Sequence, residues 1–61
     1  MHGFLVDLSK CSDIDREKYE RILSMAFDTY SVAGHPFCYE IMWDRKEPVT
    51  DFIPAEFVRS L

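Results

Sequence analysis

Glycine is scarce in this chain: Gly3 and Gly34 are the only two among 61 residues. A glycine-rich phosphate cradle and a dinucleotide-binding fingerprint each need several glycines for close backbone approach, so both are excluded. Cysteine is scarce as well. Cys11 and Cys38 are the only pair, whereas a small disulfide-stapled secreted domain usually carries four or more. Basic residues are few, seven Lys and Arg against eleven Asp and Glu, giving a net charge of −4. That disfavours direct nucleic acid binding, which needs a basic stripe facing the phosphates. No apolar run approaches the roughly 18 residues of a membrane span. The stretch MHGFLVDLSKC lacks the basic, apolar and small-residue regions of a secretory leader. The expectation is a cytoplasmic protein with reduced thiols and no membrane partner, a single Cys11–Cys38 disulfide being the alternative.

What the chain has in quantity is hydrophobic side chain: 48% of residues, with 15% aromatic. A domain of about 60 residues buries only about 60% of the surface its unfolded chain exposes. So many large apolar groups cannot all be hidden in one small core. Some are expected at the surface or in an interface.

The pattern along the chain gives an α+β fold in a single domain, residues 1–61. Phe4, Val6 and Leu8 alternate with Leu5 and Asp7, the period of a strand. Ser12 or Asp13 can cap a helix. Tyr19, Ile22, Leu23, Ala26, Phe27, Tyr30 and Ala33 then follow helical spacing. With Gly34 as C-terminal cap and Pro36 beyond it, the spacing predicts one long amphipathic helix over 14–33. Glu17 and Arg21 stand four apart, a favourable pair on that helix. Residues 37–43 return to period two, with Phe37, Tyr39, Ile41 and Trp43 toward the core and Cys38, Glu40 and Met42 away from it. Pro36 and the following DRKEP flank this sticky segment with proline and charge. Residues 49–53 suit a third short strand or an extended segment, and Pro54 opens a short C-terminal helical turn over 55–60. The expected architecture is β-α-β(-β), with the helix on a two- or three-stranded sheet. The first two strands are either parallel neighbours or separated by an intervening strand.

Chemical motifs are weak. His2, Cys11, His35 and Cys38 supply the donors of a Cys₂His₂ zinc site, but without the close cysteine pair of a recognised finger. No nucleophile elbow or related signature is present. The segment FCYEIMW alternates rings as an RNA-binding sheet does. It lacks the basic-Gly-aromatic signature, and Glu40 interrupts the platform. The reading is therefore a non-enzymatic chain with no cofactor and no metal.

Two surfaces are candidates for a partner. The first is the outer sheet face: Leu5, Asp7, Cys38, Glu40 and Met42, with Trp43 and Asp44 at the strand end. The C-terminal segment, through Phe52, Ile53, Phe57 and Val58, is the competing cover for that face. The second is a helix stripe of Ile14, Lys18, Arg21, Met25, Asp28 and Val32. The partner-binding residues singled out are Leu5, Asp7, Glu40, Met42, Trp43 and Asp44. The function expected is protein binding: a small inhibitor or regulator that occludes a larger protein or nucleoprotein machine. By size and charge alone it is analogous to phage-encoded inhibitors of host defence. Two alternatives stand beside it. One is a homo-oligomeric structural protein, its simplest form a homodimer. The other is an acidic DNA mimic using Asp13, Asp15, Glu17, Glu20 and Asp28.

Overall fold

The computed structural model describes residues 3–61. In chain order the elements are β1 (Phe4–Asp7), α1 (Asp13–Ala26), β2 (Thr29–Ser31), β3 (Cys38–Ile41), α2 (Val49–Phe52), a 3₁₀ turn (Ala55–Phe57) and β4 (Val58–Ser60). The fold is α+β, as the pattern predicts. The sheet has four strands in the order β2-β3-β1-β4, and every neighbouring pair is antiparallel. The strand that follows the helix therefore runs parallel to β1, with β3 inserted between them. This is a split β-α-β unit, and it corrects the expected topology. The sequence pattern does not predict β2. The two strands it does predict, β1 and β3, are direct antiparallel neighbours because the chain turns back from β2 into β3, giving four strands rather than two or three.

α1 begins where expected. The Ser12 hydroxyl accepts a hydrogen bond from the Asp15 amide at 3.3 Å, and Asp13 and Asp15 set negative charge against the helix N-terminus. Arg16 pairs with Asp13 at 2.9 Å, and this replaces the expected Glu17–Arg21 pair among the described residues. The helix stops at Ala26, seven residues short of the predicted end. Thr29 is responsible. Its hydroxyl donates to the Leu23 carbonyl at 2.8 Å, beside the Phe27 amide that closes the last helical turn, and to the Phe27 carbonyl at 3.2 Å, a group that a longer helix would have bonded internally. Residues 29–31 then extend as β2, so Tyr30 and Ala33 lie off the helix. Gly34 does adopt a left-handed conformation, φ +78°, but in the β2–β3 connection rather than at a helix cap.

β3 is shorter than its alternating pattern. Phe37 stands before it at φ +70°, exposed, with its ring 4.2 Å from the Arg16 guanidinium carbon. Trp43 stands after it. The last third corrects two further expectations. Residues 49–52 form a helical turn instead of a strand, and 58–60 form β4 instead of ending a helix. The Glu47–Pro48 peptide leading into α2 is cis.

The core is Phe4, Val6, Leu8, Leu23, Ile41, Val49, Ile53 and Val58, with Tyr19, Ile22, Phe27, Tyr39 and Phe57 packed around it. Each fully buried aliphatic side chain contributes about 1.5–3 kcal/mol relative to exposure. Val49 and Ile53 share this core with Leu23 of α1, so the C-terminal segment packs on the helix side of the sheet. It does not cover the outer face.

Candidate partner-binding surface

The ladder fixes which side chains share the outer face, because directly opposed residues in antiparallel strands point the same way. Asp7 opposes Cys38, and Leu5 opposes Glu40 on one side and Arg59 on the other. Tyr30 opposes Glu40 from β2. Beyond the strand ends, a Cβ built on Gly3 would lie 3.7 Å from the Met42 sulfur, so Met42 extends the same face. The outer face thus includes Leu5, Asp7, Tyr30, Cys38, Glu40, Met42 and Arg59, together with Leu61, whose Cδ1 lies 2.7 Å from that same Cβ position. Leu5, Asp7, Cys38, Glu40 and Met42 are half-buried by their neighbours, whereas Tyr30 and Arg59 are exposed. No helix of the described residues packs on this side.

Four of the six residues predicted from sequence, Leu5, Asp7, Glu40 and Met42, come together here. Trp43 turns to the opposite side. Its ring meets Phe27 edge-on, with centroids 5.6 Å apart, and Phe27 in turn meets Phe52 at 6.2 Å. Trp43 keeps 39% exposure and Phe52 51%, so this aromatic corner is open to water. Met42, Trp43, Asp44 and Arg45 line a shallow depression of about 250 Å³ that joins the corner to the outer face. A larger one, about 400 Å³, lies at the other end between Asp7, Lys10, Glu56, Phe57 and Arg59.

Tyr30 and Arg59 were missed because each fell in a span read as helix. The signal for Tyr30 was Thr29-Tyr30-Ser31, a β-branched and aromatic triplet that favours strand over helix. For Arg59, the register of a strand that pairs back onto β1 is a long-range feature without a local signal.

The electrostatics of the face are mixed. The Ser9 hydroxyl and amide donate to Asp7 at 2.6 and 2.9 Å and hold its carboxyl below the ordinary value. Asp7 is therefore ionised at neutral pH, with Arg59 nearby. Cys38 is pushed above the ordinary thiol value, first by burial and then by the Asp7 charge. Cys11 is also raised, chiefly by burial. Both thiols are free and protonated at neutral pH, the opposite of an activated nucleophile. Cys11 and Cys38 sit in different settings, and His35 is exposed in the β2–β3 connection. Among the described residues no group of three or more His, Cys, Asp and Glu is placed to hold a metal. His2, the fourth donor considered, lies outside the described residues.

On the helix, Ile14 and Met25 are both 81% exposed, with Lys18 and Arg21 between them. Asp28 and Val32 lie beyond the helix end, so the predicted stripe is shortened to one side of α1. Of the acidic series, Glu20 accepts the hydroxyl of Tyr39, Asp13 is paired with Arg16, and Asp28 is off the helix. No described helix is long and apolar enough to cross a membrane. Comparison with known proteins finds no matching family model, no matching curated protein and no matching solved structure.

Proposed function

We propose that this protein is a non-enzymatic protein-binding module, a small cytoplasmic inhibitor or regulator that acts by covering a surface of a larger protein or nucleoprotein machine. One observation carries the reading. Among the described residues the core packs on one side of the sheet, while Leu5, Tyr30, Cys38 and Met42 lie on the other, Tyr30 exposed and the rest half-buried. An antiparallel sheet tolerates a solvated face, but that face is then ordinarily polar. Here apolar and charged groups are mixed: Glu40 stands between Tyr30 and Leu5, Arg59 lies beyond Leu5, and Asp7 lies beside Cys38. Met42 and Trp43 are the anchor side chains, flexible and aromatic respectively, at the two sides of one depression. The carboxylates set orientation and association rate. The phage-type, anti-defence version of this role rests on size and charge. The acidic-mimic alternative draws less support, since Glu20 and Asp13 are engaged within the fold and Asp28 leaves the helical row.

The test is capture of a partner on the tagged protein, identification of that partner, and titration of the purified pair. Met42→Ala and Glu40→Lys should each weaken binding at least tenfold, and Ile14→Ala, on the far side of α1, should leave it unchanged. Binding that survives both outer-face substitutions removes the reading.

A further inference from the structure

β2 and β4 are the two edges of the sheet. An edge strand offers unpaired main-chain donors and acceptors to any extended backbone, and proteins usually blunt it with charge, proline or a bulge. The two edges of this sheet differ. β4 carries Arg59 at its centre, and its Val58 N–H is already taken by the Ala55 carbonyl. β2 is Thr29-Tyr30-Ser31, with neither charge nor proline.

The register shows which β2 groups are free. The Met42 amide donates to the Asp28 carbonyl at 3.4 Å, and the Val32 amide to the Cys38 carbonyl at 3.2 Å. Tyr30 opposes Glu40 between those two bonded positions. Hydrogen bonding alternates along an antiparallel strand, so residues 28, 30 and 32 face β3 while Thr29 and Ser31 turn their N–H and C=O outward. Among the described residues those outward groups have no backbone partner. Tyr30, between them, is 56% exposed on the outer face.

We propose that β2 pairs antiparallel with β2 of a second copy of this chain about a twofold axis, making one continuous eight-stranded sheet. The free groups dictate the register. Thr29 pairs with the partner's Ser31, and each such pair exchanges both its hydrogen bonds. Tyr30 then opposes the partner's Tyr30 at a non-bonded position, where Cα atoms are about 4.5 Å apart and side chains meet closely. One place further out, Asp28 faces the partner's Val32. No like charges oppose one another anywhere along this edge. The same operation at β4 sets Arg59 against the partner's Arg59, a direct repulsion. Pairing β2 with the partner's β4 leaves an edge free at each end and generates an open filament rather than a closed dimer. It also loses the bond that the occupied Val58 N–H cannot give. The closed twofold pairing satisfies the β2 groups without these penalties. It uses the main-chain groups of the sheet edge and shares only Tyr30 with the outer-face reading.

Light scattering and sedimentation of the purified chain, over a wide concentration range, test this. The mass should rise with concentration from the 7.2 kDa monomer toward twice that value and stop there. Amide exchange at Thr29 and Ser31 should slow as the dimer forms, while exchange at Ser60 stays fast. Ser31→Pro removes an N–H that the chain's own sheet does not use, and Tyr30→Lys sets two like charges across the axis. Both variants should remain monomeric with unchanged far-UV circular dichroism. A wild-type chain that stays monomeric throughout overturns the proposal. So does a dimer whose Thr29 and Ser31 amides exchange freely, a mass that climbs past twofold, or a Tyr30→Lys variant that dimerises like wild type.

Discussion

The Tyr39 hydroxyl donates to the carboxylate of Glu20, joining the inner face of β3 to the middle of α1. Tyr39→Phe deletes that donor and keeps the ring. A hydrogen bond to a charged acceptor contributes about 1.5–3 kcal/mol net, and both groups here are only half-buried, so the low end, about 1.5 kcal/mol, is the expected loss at pH 7. In a domain this small that lowers the Tm by about 6–12 °C. The pH dependence is the sharper test. Burial, reinforced by Glu20, pushes the Tyr39 phenol up from 10.0 to about 12. The neutral phenol is thus favoured in the folded state. Its stabilisation is complete below pH 10 and is lost as pH rises through 12, with a full excursion on the order of 3 kcal/mol for a shift of this size. Phenylalanine has no such loss. The wild-type and Tyr39→Phe stability curves should therefore cross near about pH 11, with the variant the more stable above it. Urea unfolding of both proteins from pH 7 to 12 measures the difference curve directly. Curves that stay parallel across that range would refute the Tyr39–Glu20 assignment.

Ile53 is completely buried among the eight core residues, and Ile53→Ala should cost about 2–5 kcal/mol, enough to leave much of so small a domain unfolded. Chemical denaturation reads this, and a near-neutral result would mean that residues 49–61 are not integral to the core. Thr29→Val keeps the branched shape but removes the donor to the Leu23 and Phe27 carbonyls, for an expected loss of about 1–2 kcal/mol in thermal melts at low protein concentration. Alkylation of Cys38 by iodoacetamide should be slower at neutral pH than that of an unstructured cysteine peptide and should accelerate above pH 9. Asp7→Asn should speed modification of Cys38 and change Cys11 far less, since Asp7 is the second largest cause of the Cys38 shift and the smallest for Cys11. Equal acceleration at both thiols would show that the Asp7–Cys38 contact is not what holds Cys38 protonated.

The alternation of Phe4, Val6 and Leu8, the Ser12 cap and the Tyr19–Leu23 spacing were all legible, because each depends on neighbours within one or two turns of chain. So was the two-sidedness of residues 38–41, and with it the grouping of Leu5, Asp7, Glu40 and Met42. The helix end was not. Ala26, Phe27, Tyr30 and Ala33 continue the helical period, yet the Thr29 hydroxyl and strand pairing with β3 together favour extension from residue 29 onward. Trp43 fits the strand alternation too, but the strand ends at Ile41 and the ring turns to Phe27.

The sequence by itself determined the class of this protein: an acidic α+β domain with more large apolar side chain than its interior holds. Seven large hydrophobic residues, from Ile14 to Leu61, remain exposed among the described residues. Composition and period suffice for that, since burial capacity follows from chain length and element type from local spacing. Which apolar groups stay outside was decided only in three dimensions. Val49 and Ile53 reach the same side of the sheet as Leu23, and β4 pairs back onto β1 from the far end of the chain. Those contacts join residues from 26 positions apart, Leu23 and Val49, to 56, Phe4 and Ser60, and their cost in chain entropy is offset only when the whole core closes at once.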